Sequence, residues 1–182
     1  MNDDLFKEYK IDSKVESNLI DKYKEVISEE LISVWKIYGF GSILNGYLKI
    51  INPDEYKEII DNSYFRANVS IPIFATAFGD IINWEENKYI RMIKYKDGIF
   101  KGISSGFDFF WEDVITDYFC KEFFELDKYN KAISKLGELE YDECFGYIPL
   151  LALGGSEKVE NLKKVKIKEH IELITQMLGK FE

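Results

Sequence analysis

The sequence is poor in the residues on which catalysis and metal binding most often rest, with one histidine and two cysteines among 182 residues. A Ser–His or Cys–His mechanism would have to use His170, which falls in the last predicted helix, where a structural or exposed role is favoured. Cys120 and Cys144 are not clustered, and this favours free thiols over a disulfide framework or a zinc site. The sequence therefore predicts no catalytic residue, no metal site and no cofactor.

Long apolar runs and positive charge are also scarce. No stretch reaches the roughly 18 apolar residues of a membrane span, and the acidic N-terminus Met1-Asn2-Asp3-Asp4 lacks the apolar core of a secretory signal. The 33 acidic and 24 basic residues leave a net charge of −9, which suits neither nucleic acid nor anionic lipid. We expect a cytoplasmic protein without direct nucleic-acid or membrane binding, and the oligomeric state is not indicated.

The first half of the chain predicts an antiparallel sheet flanked by helices. Apolar residues at helical spacing predict two helices before Gly39, and Asn52-Pro53-Asp54-Glu55 predicts the start of a third that ends near Asn62. Strand-like segments between Ser42 and Ile103 predict a meander. Its turns are predicted at Asn45-Gly46 (a two-residue type I′ hairpin), Gly79-Asp80 and Lys96-Asp97-Gly98. Because helices and strands are mixed without βαβ regularity, the fold class is α+β.

The second half begins after the boundary predicted at Ser104-Ser105-Gly106, which divides the chain into lobes 1–103 and 104–182 packed as one unit. The pattern predicts an aromatic helix over Phe107–Phe124, a helix over Asp127–Leu136, strands at Ile148–Leu153 and Leu162–Ile167, and a closing helix over Lys168–Leu178. The sheet is expected to pack against helices from both ends of the chain. Four large side chains are expected to be buried: Trp35, Phe74, Trp111 and Phe119.

Several short motifs have a structural interpretation that is favoured over a chemical one. Gly154-Gly155-Ser156 lacks the spacing of a phosphate-binding loop and predicts a turn with Ser156 as an N-cap. Cys144 is flanked by Asp142 and Glu143, which would raise the pKa of a thiol and keep it unreactive. The carboxylate pairs could serve glycoside hydrolysis, but solvated faces are favoured. These pairs are Glu29-Glu30, Glu85-Glu86 and Asp142-Glu143.

Negative charge is concentrated in residues 104–145, which carry eleven acidic and four basic side chains and hence a net charge of −7. Asp108 and Glu112 are four residues apart, as are Asp113 and Asp117, and like charges at this spacing mildly destabilise a helix. Two interpretations stay open at this point. The segment is either a solvated face or a binding surface that is kept acidic for a basic partner.

Two stretches of sequence resemble known families. The first resembles the GAD-like domain and is carried by Tyr38-Gly39-Phe40-Gly41, Gly46-Tyr47-Leu48, Asn52-Pro53-Asp54-Glu55-Tyr56 and Thr76-Ala77-Phe78-Gly79-Asp80. The second runs through Leu136–Pro149, Leu151–Gly155, Val159–Val165 and Glu169-His170. It resembles the C-terminal domain of immunity proteins that neutralise type VI secretion DNase toxins. The general plan is also similar, more loosely, to the SUKH group of immunity folds. The residues that carry the motifs are expected to be structural: Gly39, Gly41, Asn52, Pro53, Phe78, Gly79, Asp80, Gly154 and Gly155.

The resemblance implies a non-catalytic immunity protein that binds a cognate toxin with a basic surface and occludes its functional surface. The candidate toxin-binding residues are Asp108, Glu112, Asp113, Asp117, Asp142 and Glu143. The alternative is a small-ligand-binding or enzymatic domain with a site near Asp80, Asp142 and Cys144. If the acidic segment is not the interface, the next candidate is the sheet around Asp80, Trp84 and Glu85.

Overall fold

The computed structural model describes residues 3–182, with side chains described from Leu5 onward. Met1 and Asn2, part of the N-terminus interpreted above as lacking a secretory signal, lie outside the described residues. The described chain forms a seven-stranded antiparallel sheet whose strand order follows the chain order. The strands are β1 (Lys10–Ser13), β2 (Phe40–Ile43), β3 (Leu48–Ile50), β4 (Ser70–Thr76), β5 (Ile81–Glu85), β6 (Tyr89–Lys94) and β7 (Ile99–Ser105). The predicted meander and the α+β class are confirmed.

Helices cover both faces of this sheet, and a hairpin of two further strands lies beside it. The helices are α1 (Ser17–Tyr23), α2 (Glu29–Tyr38), α3 (Pro53–Ser63), α4 (Phe107–Asp113), α5 (Asp117–Phe119), α6 (Leu126–Leu136) and α7 (Ile167–Leu178). The hairpin pairs β8 (Glu143–Tyr147) with β9 (Leu162–Lys166). One hydrophobic cluster combines the sheet with side chains of α1, α2, α4 and α6, and the other combines it with α3 and α7. Helices from both ends of the chain thus pack on the sheet, as predicted.

The aromatic side chains dominate the first cluster. Trp35, Phe74, Trp111 and Phe119 are all buried, as predicted. Phe74 stacks on Phe110 with ring centroids 5.4 Å apart, and its ring meets Trp111 edge-on at 5.7 Å. Such pairs contribute roughly 0.5–1.5 kcal/mol each beyond the area they bury. The second half of the chain is therefore held against the sheet by ring contacts.

Local chemistry explains most boundaries in the first half. The Asn52 side chain accepts a hydrogen bond from the backbone N–H of Asp54, and Pro53 occupies the first position of α3, as predicted. Gly39 ends α2 with φ of +79°. The hairpin between β2 and β3 is wider than predicted, because Leu44, Asn45 and Gly46 all adopt positive φ. Its connection spans residues 44–47 and is not a two-residue type I′ turn.

Strand β1 was not predicted, since all four of its side chains are exposed and produce no alternating apolar pattern. The pairing of β1 with β2 depends on two glycines, one directly before β2 and one within it. A Cβ on Gly41 would lie 2.3 Å from the carbonyl oxygen of Lys10, and one on Gly39 would lie 2.3 Å from that of Ser13. Only residues without a side chain allow β1 to approach β2 this closely.

The predicted aromatic helix over Phe107–Phe124 is wrong as a single element. It is divided into α4, α5 and a π-helical turn over Cys120–Phe124. The hydroxyl of Thr116 causes the break, since it donates to the carbonyl of Asp113 (2.7 Å) and accepts from the N–H of Phe119 (3.2 Å). Cys120, at the start of the π-helical turn, is a free thiol and is partly buried.

Two predictions around the glycine pair are also wrong. Ile148–Leu153 is not a strand, because β8 ends at Tyr147, a cis Ile148-Pro149 bond follows, and Leu151–Leu153 forms a 3-10 turn. Ser156 does not cap a helix. Its Oγ accepts a hydrogen bond from Asn161 Nδ2 at 2.7 Å instead, which closes a loop.

Candidate functional site

The strongest candidate site is a set of carboxylates on α4 and α5, which we call the acidic surface: Asp108, Glu112, Asp113 and Asp117. Asp113 is half-buried and the other three are exposed. None of the four side chains forms an ion pair or hydrogen bond with any of the side chains described, from Leu5 onward. Their charges are therefore available to a partner.

The other two predicted toxin-binding residues differ in this respect. Lys166 Nζ lies 2.8 Å from Asp142 Oδ1 and 3.8 Å from Glu143 Oε1. The hydrogen bond from Lys166 holds the pKa of Asp142 below its ordinary value. Asp142 and Glu143 lie at the start of β8, on a different element from the acidic surface, and their charge is partly neutralised within the protein.

A buried lysine fixes the loop that precedes these two residues. Lys49 of β3 donates from Nζ to the carbonyl oxygen of Glu140 at 3.0 Å and to that of Glu143. Burial lowers the pKa of Lys49 to about 8. The ammonium group thereby joins the central sheet to the segment that leads into β8.

A second set of charged groups joins the two halves of the chain next to the acidic surface. Lys96, at the turn after β6, lies 3.1 Å from both Glu125 and Glu157. Lys128 of α6 contacts the same two carboxylates, at 2.5 Å and 2.6 Å. Because these groups are partly shielded from water, the network orients α6 and the turn before it relative to the sheet.

The turn between β4 and β5 carries the motif residues Phe78, Gly79 and Asp80. Thr76 Oγ1 accepts hydrogen bonds from the N–H groups of Phe78 (3.2 Å) and Asp80 (3.1 Å), and Gly79 adopts φ of +77°. Phe145 of β8 donates its N–H to the carbonyl of Ala77 at 2.7 Å. The motif thus forms the contact between the sheet and the C-terminal hairpin.

The residues of the alternative site are not arranged as an open pocket. Asp80 and Cys144 are buried, whereas Asp142 is exposed and bound to Lys166. Burial raises the pKa of Asp80 to about 7 and that of Cys144 to about 12. His170 packs against the same turn and is also buried, which lowers its pKa. A protonated thiol without solvent access is a poor nucleophile.

In the sheet region named as the next candidate interface, the side chains of Asp80, Trp84 and Glu85 are all buried. Trp84 donates from Nε1 to the carbonyl of Val26 at 2.9 Å. The interpretation of Glu85-Glu86 as a solvated pair is wrong for Glu85, whose carboxylate is bound by Arg66 and faces the interior.

Sequence reasoning did not identify the exposed apolar side chains that lie close in sequence to the acidic surface. Ile115 and Tyr118 lie in the segment predicted as one continuous helix, and both are exposed. Phe109, also exposed, was not singled out. The signal that could have indicated this is Thr116, because a threonine within an apolar helical pattern is a candidate N-cap.

In the described part of the chain no helix is both long and apolar enough to cross a membrane. Among the side chains described, from Leu5 to Glu182, no group of three or more His, Cys, Asp or Glu has the arrangement of a metal site.

Comparisons with known proteins agree with this architecture. The family profile of the GAD-like domain matches residues 4–96, about half of the chain, and the chain belongs to this family. The profile described as the C-terminal domain of the T6SS immunity protein Tdi1 matches residues 104–178, which supports a type VI secretion immunity role. Both resemblances stated from the sequence are confirmed.

A solved structure shares the fold. It is described as the crystal structure of Atu4351 from Agrobacterium tumefaciens, and it superposes with a TM-score of 0.74 at 17% sequence identity. The similarity covers 98% of this chain and 89% of that one. No curated protein matches the chain by sequence.

Proposed function

We propose that the chain is a cytoplasmic, non-catalytic immunity protein that binds a cognate type VI secretion effector, a nuclease with a basic surface, and occludes that surface. Lobes 1–103 and 104–182 act as one unit in this role. The observation that carries the proposal is the acidic surface, whose four carboxylates lack an internal partner among residues 3–182. A nuclease needs positive charge to hold DNA, and an acidic inhibitor competes for the same charge.

The expected contribution of these charges is kinetic. Opposite potentials steer two proteins into encounter and raise the association rate, an effect that weakens as salt shortens the range of the field. Exposed charges at an interface add little affinity each, about 0.2–1 kcal/mol. The acidic surface therefore governs how fast the effector is captured, and Asp142 and Glu143 contribute less because Lys166 shields them.

The experiment compares two variants that each lose four negative charges, at different positions. The test variant changes Asp108, Asp113 and Asp117 to Asn and Glu112 to Gln. The control variant changes four exposed acids of the α1–α2 region to Gln: Glu16, Glu25, Glu29 and Glu30. Each is mixed in stopped flow with a nuclease-inactive form of the effector encoded beside the gene, over salt from about 50 to 500 mM.

We expect the test variant to associate about tenfold more slowly at low salt and to lose most of its salt dependence. The association rate of the control variant should stay within about threefold of the wild-type rate, because this variant changes only the long-range field of the protein. Equal slowing of both variants would mean that only net charge matters. An effector that does not bind the wild-type protein at all would overturn the proposed function.

A further inference from the structure

Three apolar side chains close in sequence to the acidic surface are exposed to solvent. The exposed fractions are 63% for Phe109, 46% for Ile115 and 73% for Tyr118. Large apolar groups are normally buried, and single exposed ones need no explanation, but here three such groups lie within ten residues of sequence.

The break in the aromatic segment places them there. In α4 the side chains of Phe107, Phe110 and Trp111 face the core. This leaves Phe109 on the outer side, one turn before Glu112 and Asp113. Thr116 then ends the helical path and starts α5, and Ile115 and Tyr118 on either side of it face solvent.

A groove with a cavity of about 520 Å³ opens beside Ile115 and Asp117, between α5 and α6. Its apolar walls are Leu44, Ile115 and Leu126, and the free carboxylates at its edge belong to Asp117 and Asp127. The other residues that line it are Cys120, Lys121, Glu125, Lys128 and Asn130. Lys128 is bound by Glu125 and Glu157, and Glu125 is bound by Lys96, so these charges are already paired. Lys121 offsets one of the two free carboxylates, and the lining keeps a net negative charge.

We propose that Phe109, Ile115 and Tyr118 are the anchors of the effector interface, and that the groove receives a lysine or arginine side chain of the effector. The inference rests on the proposed function and names the contacts that hold the complex after capture. The aliphatic stem of such a side chain would lie on Ile115 and Leu126, with its cationic head near Asp117 and Asp127. Phe109 and Tyr118 present ring faces to apolar or guanidinium groups.

In protein interfaces, different residues determine the affinity and the association rate. Most of the affinity comes from a few large, desolvated side chains, with aromatic residues enriched among them, whereas surrounding charges set the encounter. Each exposed anchor here is within one turn of an unpaired carboxylate. This arrangement matches a partner that combines positive charge with apolar contact area.

A second exposed apolar groove matches such a partner less well. It has a cavity of about 390 Å³ and is lined by Ile148, Pro149, Leu153 and Leu173, with Lys166 and Glu169 at its edge. Lys166 and Glu169 carry opposite charges, so the lining of this groove has no net negative charge for a basic effector. This groove provides matched control positions.

The test measures dissociation of the complex with the nuclease-inactive effector by surface plasmon resonance. The test variants are Phe109→Ala with Tyr118→Ala, and Ile115→Ala alone. We expect the double variant to dissociate about thirtyfold faster and Ile115→Ala about fivefold faster, with association rates within about twofold of the wild type. Tyr118→Phe should retain slow dissociation, because it keeps the ring.

The control is the double variant Leu153→Ala with Leu173→Ala, which should dissociate like the wild type. All substituted side chains are exposed, and thermal melting of each variant checks that the fold is intact. Unchanged dissociation for Phe109→Ala with Tyr118→Ala would overturn the inference, as would faster dissociation of the control. In both cases the complex still forms, so the proposed immunity function would stand. Failure of the wild-type protein to bind would instead overturn that function.

Discussion

Arg66 donates from Nε to Oε2 of Glu85 over 2.9 Å, and this carboxylate has no exposed surface. Arg91 Nε lies 3.0 Å from the same oxygen, and Ser70 Oγ donates to the other oxygen at 3.0 Å. These are the two arginines of the chain, in a sequence where lysine supplies nearly all the positive charge. Arginine suits this position because its planar group is weakly hydrated and tolerates partial burial.

The first prediction concerns this cluster. Glu85→Gln should lower the free energy of unfolding by about 2–4 kcal/mol, because Arg91 loses its counter-charge and Arg66 keeps only the exposed Glu86. Glu86→Gln removes the neighbouring exposed partner of Arg66 and should cost less than about 1 kcal/mol. Urea denaturation of the two variants measures the difference. Equal losses would show that the buried cluster adds no more than a surface ion pair.

The cluster shows where sequence reasoning was limited. Glu85 and Glu86 are adjacent and were interpreted as one solvated pair, but Glu85 is the last residue of β5 and its side chain is buried. The partners of Glu85 are 19 residues before it on a connecting segment and on the next strand. Neither position can be inferred from the spacing of charges along the chain.

The second prediction concerns Asp80, whose pKa burial raises from its ordinary 3.8 to about 7, although Lys94 and Lys96 oppose the rise. Between about pH 4 and pH 7 the unfolded carboxyl is ionised while the folded one keeps its proton. The folded state then binds more protons, so the stability contributed by this group falls as the pH rises through that window.

Asp80→Asn removes this titration. From pH 5 to pH 8 the stability of the variant should rise relative to the wild type by about 2–3 kcal/mol, at about 1.4 kcal/mol per pH unit up to pH 7. Urea denaturation at each pH measures the difference. A change in stability caused by the amide that does not depend on pH cancels when the differences between variant and wild type at two pH values are compared. The titration of His170 also cancels, because both proteins contain it. A difference that is independent of pH would contradict the prediction.

The elements that were predicted correctly depend on chemistry between near neighbours. The Asn52 cap and the glycine turn at Lys96-Asp97-Gly98 require only residues within four positions. The elements that were missed depend on distant contacts. Strand β1 pairs with β2, which follows it by about 30 residues, and the buried ammonium group of Lys49 donates hydrogen bonds to carbonyl groups 91 and 94 residues later.

The acidic surface was anticipated in part. Counting charges located its carboxylates, and the structure shows that they lack internal partners among residues 3–182. Counting could not show that Asp142 and Glu143 are engaged by Lys166, a contact made through the pairing of β8 with β9.

The third prediction separates the two motif glycines. A Cβ on Gly155 would lie 2.1 Å from the carbonyl oxygen of Pro149, so Gly155→Ala forces the backbone apart. Gly154 has φ of +83° with open space around its Cβ position, so Gly154→Ala should cost only the left-handed strain, about 1–2 kcal/mol. We expect Gly155→Ala to cost about 3 kcal/mol or more. Thermal and urea melts of the pair check the order, and a larger loss for Gly154→Ala would contradict it.

The fourth prediction concerns Thr116, which positions the anchors on either side of it. Thr116→Ala removes the hydroxyl that accepts from the Phe119 N–H and donates to the Asp113 carbonyl. The loss should be about 1 kcal/mol, as for other N-cap residues, and it should be concentrated in residues 114–120. Hydrogen exchange should report about fivefold faster exchange of the Phe119 amide, while amides of β4 and β5 stay unchanged.

Thr116→Ser keeps the hydroxyl and is the matched control, with exchange close to that of the wild type. If the anchors require the break in the helical path, Thr116→Ala should also speed effector dissociation by about threefold, because part of the binding free energy would be spent on ordering the segment. Thr116→Ser should not. Faster exchange without faster dissociation would show that the segment folds on the effector at no measurable cost, and the role assigned to Thr116 in positioning Ile115 and Tyr118 would be wrong.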